Sequence, residues 1–152
     1  MNLRRFSQVY LGNLGNEAEM ELVKVVAHYA NGKVIKGFVG NFSPNKDRFH
    51  LLSTTDPVSG TTEVLIKDLK AIFFVRDFSG DPTYEERKVF LEGENGHGRR
   101  LEAISIDDES FVGSTLGYDP KRSGFFVFPV DPDSNNTRIF LVSSAVKKFR
   151  YL

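Results

Sequence analysis

Four cations stand beside two aromatic residues in matching stretches of the chain. Lys46 and Arg48 precede Phe49 in "NKDRF", and Lys121 and Arg122 precede Phe125 in "KRSGF". Cations flanking flat rings are what single-stranded nucleic acids are held by, the charges on phosphate and the rings under bases. A ring inside a strand serves a core just as well, so the charges are the candidate ligand-binding set: Lys46, Arg48, Lys121 and Arg122. Lys46 and Arg122 are the basic positions kept in both stretches, and a ligand is to be sought there first.

Other chemistry is thinly supplied. The chain has 3 histidines and no cysteine. His28 and His50 fall in expected strands and His97 in a Gly-rich turn, without the spacing of metal ligands. Asp107, Asp108 and Glu109 are consecutive at an expected hairpin tip, where three successive side chains cannot all face one cation. "GNLGNE" and "GENGHG" lack the glycine spacing of phosphate or dinucleotide loops, and no nucleophile elbow is present. The expectation is a protein that is not an enzyme, with no catalytic residues, no metal and no cofactor. Asn135-Asn136-Thr137 has the form of a glycosylation acceptor but reads as a polar loop.

Lys plus Arg number 20 and Asp plus Glu number 20, so no net field favours a polyanion or a membrane surface, and a charged site must arise by local clustering. Hydrophobic residues make up 40% of 152, enough for one ordinary domain or two very small ones. No run is long and apolar enough to insert in a membrane, and the absence of cysteine suits a reducing cytoplasm. Cytoplasmic localisation is the expectation.

The elements that must position the cations are strands. Short runs rich in Val, Ile and Phe, broken by Gly, Pro, Asn or Asp, predict strands over 23–29, 33–42, 48–52, 62–66 and 71–75, with Asn31-Gly32 as a tight hairpin turn. "NEAEMELVKVVAHYA" also reads as a helix capped by Asn16, with Glu17 and Glu19 in its first turn. An internal repeat decides between the two. An offset of 76 positions pairs Gly37 with Gly113, Phe42 with Tyr118, Pro44 with Pro120, Lys46 with Arg122, and Phe49 with Phe125. It extends to Ala27 with Ala103 and to Thr61 with Thr137 and Leu65 with Leu141, before a one-residue slip that sets "LKAIFFV" against "VKKFRYL". The segment matching Val25 to Gly37 is "LEAISIDDESFVG", whose Asp107-Asp108 turn suits a hairpin, so the first copy is a strand from Val23 and any helix precedes it.

The expected fold is all-β, with little helix: two tandem five-stranded small barrels of the SH3 type, packed together. Residues 1–22 form an N-terminal extension, 23–75 the first barrel, 76–98 an ordered connector and 99–152 the second barrel. Gly37, Gly40, Gly113 and Gly117 allow a long second strand to bend. "KDLK" and its counterpart "SSAVKKF" supply single helical turns, with Leu69 and Val146 plugging the barrels. In the connector, Phe78, Tyr84 and Phe90 are expected to pack between the units, and "KVFLEG" to pair with "RRLEAISI" in an added hairpin.

"NGKVIKGFVGNFSPNKDRFHLL" followed by "VLIKDLKAIFFV" resembles the two motifs of the Sm/Hfq-like barrel family. The resemblance implies RNA binding through loops after the second and fourth strands, although "IKDLKA" lacks the basic-glycine or lysine-histidine pair of the later loop. The tandem arrangement also resembles an uncharacterised bacterial domain family to which no activity attaches. A weaker resemblance is to the PilZ family, which binds cyclic di-GMP: "NFSPNK" supplies Asn41 and Ser43 but has Lys46 where that motif has glycine. The functional expectation is a non-enzymatic interaction or regulatory module in a bacterial cytoplasm, with an unknown protein partner. The alternatives are Sm-like RNA binding and PilZ-like cyclic di-GMP binding.

Overall fold

A computed structural model describes residues 8–10, 19–53, 60–94 and 96–152. Within them the protein is all-β. A two-stranded sheet joins β1 (Gln8–Tyr10) to β2 (Glu19–Glu21). Ten further strands form one antiparallel sheet: β3 (Val23–Tyr29), β4 (Val34–Val39), β5 (Arg48–Leu52), β6 (Thr61–Leu65), β7 (Leu69–Val75), β8 (Arg99–Ser105), β9 (Ser110–Thr115), β10 (Gly124–Pro129), β11 (Asn136–Val142) and β12 (Val146–Tyr151). Their order is β12-β8-β9-β10-β11-β7-β3-β4-β5-β6. The helix that Glu19 could have entered is replaced by strand β2, while Asn16 and Glu17 lie outside the described residues.

Several turn hydrogen bonds recur at matching places in the two halves of this sheet. In the first hairpin Tyr29 N–H donates to Lys33 and Gly32 N–H to Tyr29; in the second, Ser105 donates to Glu109 and Asp108 to Ser105. Gly32 and Asp108 hold the matching left-handed position, φ 94° and 66°, which glycine and aspartate tolerate better than most residues. The 3-10 turns Ile66–Asp68 and Ser143–Ala145 are tied down alike, Ile66 N–H to Asp47 and Ser143 N–H to Ser123.

The one-residue slip lies earlier than sequence matching suggests. Phe49 pairs with Val64, but Phe125 pairs with Leu141 rather than Phe140, so the extra residue is absorbed before β11. The match of Thr61 with Thr137 and Leu65 with Leu141 is therefore coincidental. A strand shifted by one residue turns every side chain to the other face, so the structure decides the register through what each face buries. "KVFLEG" forms no strand, and β8 pairs with β9 and β12 instead; this replaces the added hairpin.

The halves meet where β7 pairs with β11, Phe73 beside Ile139 and Ile72 beside Phe140. Residues 71–74 of β7 and 139–142 of β11 are buried on both faces, which is why "AIFF" and "IFLV" read as continuous apolar runs rather than alternating ones. Ile72, Phe74 and Phe140 enter one hydrophobic cluster; Ala71, Phe73 and Leu141 enter the other. Leu69 is fully buried in the first cluster, and Val146 packs against the second. Phe42, from the loop between β4 and β5, crosses the joint: its ring lies 5.1 Å from that of Phe140 and 6.0 Å from that of Phe126.

Candidate ligand grooves at the joint

The loops bearing Pro44 and Pro120 touch. Ser123 Oγ donates to the Pro44 carbonyl at 3.0 Å, and this bridge separates two grooves with Arg122 lining both. The matching turns that place these loops are closed by the same bonds, Lys46 N–H to Ser43 O and Arg122 N–H to Asp119 O.

The first groove, of about 500 Å³, is lined by Arg48 and Lys67 from the first half and by Lys121 and Arg122 from the second, with Ser143 and Ser144 between. Arg48 is not free charge. It bonds Asp47 and Glu63 at 3.0 and 3.1 Å, and the Asp47 hydrogen bond, with that carboxylate's charge, pushes its pKa up. Among the described residues Arg122 pairs only with Asp119, at 4.0 Å. The positive field of the groove therefore comes mainly from Lys67, Lys121 and Arg122. Ser143 Oγ is buried and finds no partner among the described residues.

Three of the four cations singled out in the sequence, Arg48, Lys121 and Arg122, thus come together, whereas Lys46 is exposed and lines neither groove. Phe49 and Phe125, the rings beside them, are core residues at 3% and 4% exposure and cannot serve as base platforms. Lys67 went unnoticed in sequence because it comes from a turn 19 residues beyond Arg48, although its place in "IKDLKA", the later loop, was a usable signal.

The second groove, of about 480 Å³, is lined by Tyr118, Phe126 and Phe128 together with Arg138 and Arg122. Arg138 had no sequence signal, since it stands alone at the end of a polar run that enters β11. Its guanidinium carbon lies 4.3 Å from the ring centre of Phe74 and 4.5 Å from that of Phe126.

The connector residues are placed as follows. Phe78 packs edge-on against Phe38 at 5.4 Å and contributes to the second cluster. Tyr84 is 44% exposed and donates its hydroxyl to the buried carboxylate of Asp131. Phe90 lies under the Arg100 guanidinium at 4.4 Å. His28 is half-buried against Phe73, His97 lies against Phe128, and His50 is exposed 3.8 Å from Glu63. Asp107 and Glu109 bind Lys70, and Asp108 binds Lys147, so the acidic turn is spent on lysines. Among the described residues, no group of three or more His, Cys, Asp or Glu is arranged to hold a metal ion, and no helix is long and apolar enough to cross a membrane.

A family of unknown function, DUF6982, matches residues 21–152. The chain belongs to this family. The match spans both halves of the ten-stranded sheet. No curated protein and no solved structure matches.

Proposed function

We propose that the protein is a non-enzymatic binding module, its halves two copies of one small Sm-like barrel unit, and that the cationic groove at their joint holds a short single-stranded RNA. The recurring hydrogen bonds support the two-copy reading. One observation carries the ligand: in a chain of net charge zero, Lys67, Lys121 and Arg122 converge from both halves on one groove. Cations clustered against an otherwise balanced surface are a local polyanion site.

The test is titration of a labelled hexanucleotide by anisotropy at increasing salt. Three phosphate contacts give a slope of about −2 in log affinity against log salt, and Lys67→Glu with Lys121→Glu abolishes binding without shifting the melting temperature. No binding at low salt, or binding indifferent to salt, removes the proposal. Calorimetric heat with cyclic di-GMP, lost in the same variant, would reassign the groove to a cyclic dinucleotide.

A protein partner is the second reading, favoured by Val89 and Leu91, which stand 70% and 56% exposed on the connector. Affinity purification with wild type and with Val89→Asp/Leu91→Asp separates it. Identical co-purifying proteins from both would discard this surface.

A further inference from the structure

The guanidinium carbon of Arg138 lies 4.3 Å from the Phe74 ring centre and 4.5 Å from that of Phe126, and because those centres are themselves 6.0 Å apart the rings flank it on adjoining sides and leave the other N–H groups to donate. Among the described residues no carboxylate or carbonyl accepts a hydrogen bond from it; burial alone acts on its pKa and lowers it. A half-buried guanidinium without an anion is a cost to the fold that ring contacts offset only in part. The rings pack against the guanidinium where Arg138 lines the groove with Tyr118 and Phe128, and Arg122 brings a second cation to the same lining, with Asp119 beside it. Phe126 and Phe128 give the groove a flat, partly exposed apolar wall.

We propose that this groove is a mononucleotide pocket in which the Arg138 guanidinium receives a phosphate through paired N–H donors and a base lies against Phe128. Two guanidinium groups suit a phosphate better than a single carboxylate, and a volume of about 480 Å³ suits one base, sugar and phosphate. The proposal rests on the RNA reading above and deepens it. Arg122 lines both grooves, so a strand leaving the cationic groove past the Ser123–Pro44 bridge delivers one nucleotide here.

The test uses 2-aminopurine riboside 5′-monophosphate, whose fluorescence is quenched by stacking, with the unphosphorylated riboside as comparison and inorganic phosphate as competitor. Wild type, Arg138→Met and Phe128→Leu are titrated as full chains, and each is melted. The monophosphate is expected to bind at least about tenfold more tightly than the riboside, the worth of a charge-assisted pair. Arg138→Met is expected to erase that preference while melting at or above the wild-type temperature, because Met keeps the volume and removes an unpaired charge. Phe128→Leu is expected to weaken both ligands together. Equal affinity for the two ligands, or an unchanged preference in Arg138→Met, overturns the pocket. If the hexanucleotide binds, is lost in the Lys67/Lys121 variant and is untouched by Arg138→Met, the pocket fails while the strand groove stands. If a poly-glutamate peptide binds and Arg138→Met abolishes it, the site belongs to acidic peptides and the mononucleotide assignment falls.

Discussion

Lys70 on β7 and Asp107 in the turn between β8 and β9 stand 2.7 Å apart, a bond from the last strand of the first half to the first hairpin of the second. Glu109 joins at 2.7 Å, the side chain of Lys70 is 7% exposed, and its ammonium lies 5.7 Å from the Phe111 ring centre. Burial presses the Lys70 pKa down, but the two carboxylates outweigh it and the net direction is up. The Lys70 and Ser105 hydrogen bonds hold Asp107 at about 2, below its ordinary 3.8. Asp107 therefore contributes stability that is present above 3.8 and is lost as pH falls toward 2. Lys70 contributes stability that is complete below 10.5 and is lost as pH rises through its folded value. Burial, then repulsion from Lys70, keeps the His28 imidazole below 6.5, so the unfolded chain protonates first and stability also declines below that pH. Urea unfolding across pH should trace a dome, with Lys70→Met about 1–3 kcal/mol less stable near neutrality and shallower on both flanks. Parallel acid flanks for the two proteins would separate Asp107 from Lys70.

Tyr84 ties the connector to the second half alone. Its hydroxyl donates to Asp131, and that bond, with burial and the Asp131 charge, pushes the phenol up to about 12. Absorbance titration should find one tyrosine near that value, and Tyr84→Phe should remove it. Tyr84→Ala should still melt in one transition, a few degrees lower. The halves are held by β7, β11 and Phe42 rather than by the connector ring. Two separate transitions would show that the connector couples them.

Gly37 and Gly113 occupy equivalent places on β4 and β9. A Cβ on Gly37 would sit 2.4 Å from the Leu52 carbonyl oxygen, and one on Gly113 2.2 Å from that of Phe128. Backbone cannot yield as a side-chain tip can, so Ala at either place should cost about 1–3 kcal/mol. Gly117 has nothing within 4 Å, and Gly117→Ala should be near neutral by chemical denaturation. The glycine needed is the one under a neighbouring strand, so equal losses at positions 113 and 117 would refute the close-approach account.

The legible part of this protein is what local pattern determines. β3 and β5 carry their Val and Phe alternation with turn residues at both ends, and the repeat turned an ambiguous helix into a strand. Phe49 and Phe125 could not be told apart from binding rings, because an aromatic in a strand is identical in sequence whichever way it faces; the pleat and the neighbouring strand decide. Arg138 was invisible for a related reason. Its two rings come from β7 and β10, brought beside it only by the strand order of the finished sheet. Lys67 and Lys121 likewise lie in different halves and share a groove only through the β7–β11 joint.

That joint has unused counterparts at the ends of the sheet, where β6 and β12 are the outer strands. β7 offers Ala71 and Phe73 to the second core; the equivalent places on β12 hold Lys148 and Arg150. β11 presents Ile139 and Phe140, where β6 has Thr62 and Glu63. Charges on an outer strand oppose pairing with another chain, since association would bury them without partners. The protein should therefore run as a monomer in size-exclusion chromatography with light scattering. Lys148→Ala with Arg150→Phe, which copies the β7 face onto β12, should raise the mass with concentration. Self-association of the wild-type chain, abolished by Pro at position 63 of β6, would show that the polar ends pair despite their charges.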